Sequence, residues 1–281
     1  MNPRRSPRCA AVSALSALLL LSSASRGEEA LDEKPLKGAL VICGGGKLPD
    51  EISDRFLELA GGNKARLVII PTASIKADQP ELLPTYNYWK ARKVAVDLLH
   101  VPDRKKADDP KVAERLKNAT GVWITGGDQT RLIHSYQGTA IERALHRFLE
   151  EGGVIGGTSA GAAVMSRVAI VGGNPDARTA TGFGFWPGVV VDQHFQNRNR
   201  LARLIGVLGQ HPDFMGVGID EQTAIVVEGS TATVLGKANV SLCWLSKSKQ
   251  NVKLLKPNDK VDLRAFLKDA GLPPKFMAGA E

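Results

Sequence analysis

An α/β fold, with a doubly wound and mostly parallel sheet between flanking helices, follows from three features of this 281-residue sequence. Short, continuous apolar runs recur, each as long as a strand buried on both faces. Stretches with apolar residues at helical spacing separate them, and such alternation builds parallel sheets. The runs also end in small or polar residues, among them Thr72-Ala73-Ser74, Gly126-Gly127-Asp128 and Thr158-Ser159. These would gather at one edge of the sheet, where ligands of such folds bind. At 43% apolar residues the chain can bury a full core, and a single domain is expected over residues 36–281.

Residues 1–24 carry Arg4, Arg5 and Arg8, an apolar run from Ala10 to Leu21, and Ser22-Ser23-Ala24. That is the layout of a secretory signal peptide. The run is too short for a comfortable membrane span, so stable membrane association is not expected after cleavage; an uncleaved anchor is the alternative. Residues 25–35 read as a charged linker. Export places the protein in a secreted or periplasmic setting, where a disulfide is permitted. Spacing does not show that Cys43 and Cys243 meet, and two separate buried thiols are expected. Losing the three arginines of the leader lowers the formal charge from +8 to +5. The remaining excess lies largely in Lys247, Lys249, Lys253 and Lys256, without interleaved aromatics, which describes a solvated tail and not a nucleic-acid site.

Gly38–Cys43 is the first strand, followed by Gly44-Gly45-Gly46 and a helix from Pro49 with Ile52, Phe56, Leu57 and Ala60 inward. The three glycines match neither a dinucleotide fingerprint nor a phosphate loop. Strands follow at 66–71 and 94–99, with a helix at 81–92 between them, then a helix near 108–118 and a strand at 121–125. The next turn, Gly126-Gly127-Asp128-Gln129, admits two readings. It can be a tight turn with Asp128 capping a helix over 129–135. It can also bring the Gly127 amide against a ligand as an oxyanion donor, with Gln129 as a side-chain contact. A helix at 137–151 turns Ile141, Leu145, Phe148 and Leu149 inward.

The central stretch is Gly152 to Met165. An apolar strand runs through Gly156-Gly157-Thr158 into Ser159, and Ala160-Gly161-Ala162-Ala163 opens a helix. A serine on so sharp an elbow projects its hydroxyl from the sheet edge, with the amide of Ala160 placed to bind an oxyanion. The bland alternative is a helix start with Thr158 or Ser159 as its N-cap. Residues 168–188 read as a loop. Val189–Val191 is a short strand with Asp192, Gln193 and His194 at its end, and an imidazole there suits proton transfer at neutral pH. His100, His134, His146 and His211 are more simply structural. A helix over 195–208 carries Arg198, Arg200 and Arg203, either a solvated face or a carboxylate-binding set. Strand 215–219 ends in Asp220 and Glu221, and only one of these neighbours can face His194. Short antiparallel strands follow at 224–227, 232–235 and 240–245. No metal-ligand pairing of His and Cys is visible.

Thr125-Gly-Gly-Asp-Gln129, Gly157-Thr-Ser-Ala-Gly161, Asp192-Gln-His-Phe195 with Arg198, Arg200 and Arg203, and Gly218-Ile-Asp-Glu-Gln-Thr-Ala224 resemble the corresponding segments of the cyanophycinases. These belong to the serine-peptidase family that also holds the aspartyl dipeptidase peptidase E. The resemblance spans roughly Leu36 to Leu245. It implies a fold like the class I glutamine amidotransferases, with Ser159 as nucleophile, His194 as base and Glu221 as the acidic member. Substrate contacts from Gln129, Asp192, Gln193, Arg198, Arg200 and Arg203, and a homodimer, are implied as well. So is a polypeptide substrate with β-aspartyl linkages, cleaved without a cofactor. Short aspartyl or isoaspartyl peptides are the alternative substrates, and a non-catalytic module binding acidic peptides is the alternative class.

Overall fold

A computed structural model describes residues 36–274. The expected signal peptide (1–24) and linker (25–35) lie outside the described residues. The chain opens with β1 (Leu36–Cys43), α1 (Asp50–Leu59), β2 (Arg66–Ile70), α2 (Pro84–Ala91) and β3 (Ala95–Leu98). It continues through α3 (Arg104–Ala107), α4 (Pro110–Ala113), β4 (Gly121–Ile124), α5 (Gln129–Tyr136), α6 (Ala140–Glu150) and β5 (Val154–Thr158). Next come α7 (Ala160–Ala163), β6 (Val168–Gly172), β7 (Arg178–Thr181), β8 (Val189–Gln193), α8 (Leu201–Gln210) and β9 (Met215–Ile219). The chain closes with β10 (Thr223–Gly229), β11 (Thr231–Gly236), β12 (Val240–Ser246), β13 (Lys249–Leu255), β14 (Lys260–Asp262) and α9 (Leu263–Ala270).

Eight strands form the main sheet in the order β14-β11-β10-β1-β5-β4-β2-β3. Neighbours from β1 to β3 in that order pair in parallel, whereas β10, β11 and β14 join antiparallel. Successive residues of β1 enter opposite cores. Leu40 and Ile42 pack with Leu132, Ile141 and Leu145 on one side, while Val41 and Cys43 pack with Ile52, Phe56 and Trp89 on the other. Burial on both faces is why the strand reads as an unbroken apolar run.

A second sheet, β13-β12-β9-β8, takes the two strands whose ends carry His194 and Glu221. A single mostly parallel sheet was the expectation, so this is a correction. Val191, Val217 and Ile219 face the common core, while α8 covers the other side through Leu204, Val207 and Leu208. Nothing in an apolar run states which sheet it will join.

Several boundaries also differ from expectation. Residues 168–188 hold the β6–β7 hairpin and are not wholly loop, because Gly172 and Gly173 interrupt two strands too short to show a period. Pro84 leaves only a 3-10 turn at Pro80–Leu82 before α2, and Asp109 with Pro110 starts α4 afresh after α3; proline lacks the N–H that would continue a helix. The expected helix over 195–208 begins at Leu201, since Asn199 sits at φ +48° and breaks the run. The lysines of the basic stretch after residue 245 are solvent-exposed as expected, but the stretch is a hairpin and not a tail. Lys247 and Ser248, at φ +48° and +62°, make a tight reversal into β13, which pairs with β12 from Ser246↔Lys249 to Val240↔Leu255. Such turns usually announce themselves with Asn-Gly, and here they do not. Cys43 and Cys243 are both buried and free.

Candidate active site

Ser159 joins β5 to α7 at φ 52° and ψ −109°, outside the regions open to most residues. Holding a non-glycine residue there costs on the order of 1–3 kcal/mol, so its surroundings must enforce it. Small neighbours do so. A Cβ on Gly157 would stand 2.7 Å from Gly161 O, and one on Gly161 would stand 2.2 Å from Ile124 O. The N-cap alternative is not what the elbow adopts, because the Ser159 side chain makes no capping bond. Its Oγ lies 2.9 Å from His194 Nε2 instead.

His194 follows β8 at φ +50°. Its amide donates to Gly44 O at 2.8 Å, and its Nδ1 stands 2.5 Å from Glu221 Oε1. A carboxylate only accepts, so Nδ1 carries the proton and the unprotonated Nε2 accepts from the Ser159 hydroxyl. Glu221 is held from behind by its own amide, which donates to Asn197 Oδ1 at 3.1 Å. Asp220 points elsewhere, accepting from the amides of Gln196 and Asn239. Burial lowers the His194 pKa from its ordinary value; the Glu221 hydrogen bond raises it in part, and the charges of Arg198 and Arg200 lower it further. The imidazole is therefore a neutral base at neutral pH.

The glycine turn after β1, unassigned by the sequence, proves to be the seat of this pair. A Cβ on Gly45, at φ +107°, would fall 2.3 Å from His194 Cε1, and one on Gly46 would come 3.2 Å from Glu221 Oε2. Gly45 O also accepts from the Gln222 amide at 2.8 Å. Only a residue without a side chain lets the backbone lie flat against the imidazole.

Of the two readings of the Gly126–Gln129 turn, the cap is present in its geometry, and the turn also lies beside Ser159. Asp128 caps α5 by accepting from the Thr130 amide at 2.8 Å. Gly126 lies so close that its Cβ would stand 3.4 Å from Ser159 Cβ. Gly127, at φ +141°, is pressed on Ala73, whose O would be 2.2 Å from a Cβ. Its amide has no backbone acceptor among the described residues, and the Ala160 amide, first in α7, lacks an intrahelical one.

The residues expected to contact substrate divide into two groups. Arg198 is exposed and makes no side-chain ion pair among the described residues. Arg200 is half-buried; burial is the main cause pulling its pKa down to about 10, and Asp192 opposes that. By contrast Asp192 and Arg203 are buried against each other, with Arg203 Nε 2.7 Å from Asp192 Oδ2 and a second bond to Oδ1. Gln193 is buried too and accepts from Arg200 through both its side chain and its backbone. Gln129 Nε2 donates to Ile170 O at 2.8 Å, and Arg203 Nη1 donates to Gly173 O at 2.8 Å. Gln129 and Arg203 thus fasten the β6–β7 hairpin. A cavity of about 500 Å³ alongside α5 is lined by Arg104, Thr130, Ile133, His134, Gln137 and Ala180, with none of Ser159, His194 or Glu221.

Comparison with known proteins adds an independent line. The family described as Peptidase family S51 matches residues 40–235. A cyanophycinase from Synechococcus elongatus is 40% identical over 220 residues, covering 73% of this chain and 68% of that protein. A cyanophycinase from Geminocystis herdmanii is 37% identical over 222 residues, covering 74% and 80% respectively. Among solved structures, a peptidase from an acI-B1 Actinobacterium superposes with a TM-score of 0.64 at 24% identity, over 82% of this chain and 98% of that one. A peptidase E-type protein from Listeria monocytogenes gives 0.50 at 15% identity, over 71% and 98%.

Proposed function

The chain belongs to peptidase family S51 and is a serine-type peptidase; from that premise we propose that it hydrolyses cyanophycin, with Ser159, His194 and Glu221 as its catalytic triad. The observation that carries the residue assignment is the continuous array Ser159 Oγ, His194 Nε2, His194 Nδ1, Glu221 Oε1, with contacts of 2.9 and 2.5 Å. The substrate assignment is supported by the relatives called cyanophycinases.

In this reading Ser159 Oγ attacks a backbone carbonyl while His194 Nε2 takes its proton. The amides of Gly127 and Ala160 bind the oxyanion, the charge that exists in the transition state and not in the bound substrate. His194 returns the proton to the leaving amine, and water, activated by the same imidazole, releases the acyl-enzyme. Glu221 holds the ring and stabilises its cationic form. Cyanophycin carries arginine on each side-chain carboxyl of a poly-aspartate backbone, so its free carboxylates belong to those arginines. Arg200 and Arg203 share the single carboxylate of Asp192, and Arg198 pairs with none among the described residues. Each polymer arginine also carries a guanidinium, so the match is local: the exposed Arg198 guanidinium can pair with one arginine carboxylate. Export, on the strength of residues 1–24, a homodimer and a glutamine amidotransferase-like arrangement complete the proposal.

Purified enzyme incubated with cyanophycin should release β-aspartyl-arginine, identified by mass spectrometry. Ser159→Ala should lower turnover by a factor of about 10⁴ or more and abolish labelling by a fluorophosphonate probe. Turnover of aspartyl dipeptides alone would move the substrate to that class, and an unlabelled, inactive wild type would make the protein a binding module.

A further inference from the structure

We infer that Thr72, Tyr136 and His100 are positioning residues that set the oxyanion turn Gly126-Gly127 through a buried chain of hydroxyls behind it. The inference rests on the proposed role of the Gly127 amide.

Gly127 and Asp128 are not self-supporting. The Asp128 amide donates to Ala73 O at 2.9 Å, and Gly127 is packed on the same peptide group. Where Ala73 goes, the turn follows. Thr72 and Ala73 are the central residues of the turn that follows β2, closed by the Ser74 amide donating to Pro71 O at 2.7 Å, and both are 1% exposed. The Thr72 hydroxyl lies 2.6 Å from Tyr136 OH and 2.9 Å from His100 Nδ1. Tyr136 OH in turn accepts from the Val101 amide at 3.0 Å, and His100 Nε2 stands 3.3 Å from Asp78 Oδ1.

One direction of bonding follows the shortest contacts, with Leu99 O, at 3.4 Å, the other acceptor within reach of the Tyr136 hydroxyl. The Val101 amide donates to Tyr136, Tyr136 to Thr72 and Thr72 to Nδ1 of a neutral His100, whose Nε2 proton faces Asp78. Tyr136 ends the helix that Asp128 begins. The chain therefore closes a ring: strand end, Gly127 turn, α5, Tyr136, and back to the strand end. A ring closed by hydrogen bonds in a buried site allows little drift, because each unmade bond strands a buried polar group. Catalysis is sensitive to drift of this kind, since a donor displaced by about 1 Å from its oxyanion loses much of its effect, up to roughly a hundredfold in rate.

The test is steady-state kinetics of the full-length enzyme on purified cyanophycin, with thermal melting as a check on folding. Thr72→Val keeps the shape and removes the hydroxyl, Tyr136→Phe breaks the next link, and Thr72→Ser restores the first. Thr72→Val and Tyr136→Phe should each lower kcat about tenfold or more with KM within about twofold, and Thr72→Ser should lie within about twofold of wild type. Unchanged kcat in both hydroxyl-deleted variants would overturn the inference. So would a loss confined to KM, or a Thr72→Ser variant as damaged as Thr72→Val. If one of the deleted variants does not fold, the other decides. Ser159→Ala run alongside separates the two levels: an inactive Ser159→Ala with an intact Thr72→Val removes only the positioning role, whereas an active Ser159→Ala removes the serine mechanism beneath it.

Discussion

Gly45→Ala is the sharpest probe of the site, because it adds one carbon and alters none of the three side chains of the proposed triad chemically. A Cβ at this position would stand 2.3, 2.7 and 2.9 Å from His194 Cε1, Nε2 and Nδ1. Ordinary carbon contacts begin near 3.5 Å, so turn and ring must part by about 1 Å. The ring has little freedom to yield, since Nδ1 is tied to Glu221 and its backbone amide to Gly44 O. A shift of that size stretches the 2.9 Å bond to Ser159 beyond hydrogen-bonding range. The expected loss is about a hundredfold in kcat/KM, or about 2.7 kcal/mol in the barrier. The substitution also places alanine at φ +107°, costing stability on the order of 1–3 kcal/mol whatever the ring does. Gly152→Ala isolates that second effect, with φ +103° and nothing within 4 Å of the added carbon. Kinetics on cyanophycin and a denaturant melt of both variants separate the two contributions. Similar stability losses with activity lost only in Gly45→Ala is the expected pattern. A Gly45→Ala enzyme within about threefold of Gly152→Ala in kcat/KM would refute the argument that the turn seats the histidine.

Other perturbations test other parts of the site. In the proposed mechanism a protonated His194 cannot accept the serine proton, so activity should fall as pH drops through its pKa. Burial sets that pKa below the ordinary 6.5, which places the acid limb of kcat/KM below pH 6.5 and neutral pH on the plateau. Because the Glu221 bond raises the imidazole pKa, Glu221→Gln should move the limb still further to acid while lowering the plateau about 10⁴-fold; a limb moving to alkaline pH would contradict this. Asp192→Ala strands the buried Arg203 guanidinium and should cost about 3–5 kcal/mol in a denaturant melt. Breaking the exposed Asp97–Arg115 pair should cost under about 1 kcal/mol. Equal losses would mean that Asp192 is not the buried counter-charge described here.

Much of the molecule was legible in order along the chain. The strands at 66–70 and 121–124 were marked by apolar runs, because both of their faces enter cores. The inward stripe of α6, Ile141, Leu145 and Leu149, was marked by helical spacing. Ser159 was marked by the small residues that its elbow requires, and Asp128 by the helix that it caps. These are local signals, written where they act. Of the C-terminal strands, those at 224–227, 232–235 and 240–245 were legible, whereas β13 was missed because it carries its lysines on an edge and alternates too weakly to show a period.

Composition and pattern by themselves determined the α/β class, the serine elbow and the candidates for base and acid. Pattern left Asp220 and Glu221 open, because the step between them reverses a side chain's direction and pattern does not record orientation; the resemblance implied Glu221, and the tertiary structure sets that carboxylate against the imidazole. It alone moved His194 and Glu221 onto a second sheet, and set Gly44-Gly45-Gly46 beneath them from more than a hundred residues away in sequence. It also buried Asp192 and Arg203 against each other. Each of these depends on which distant surfaces meet, a property of the packed chain that no window of neighbouring residues contains.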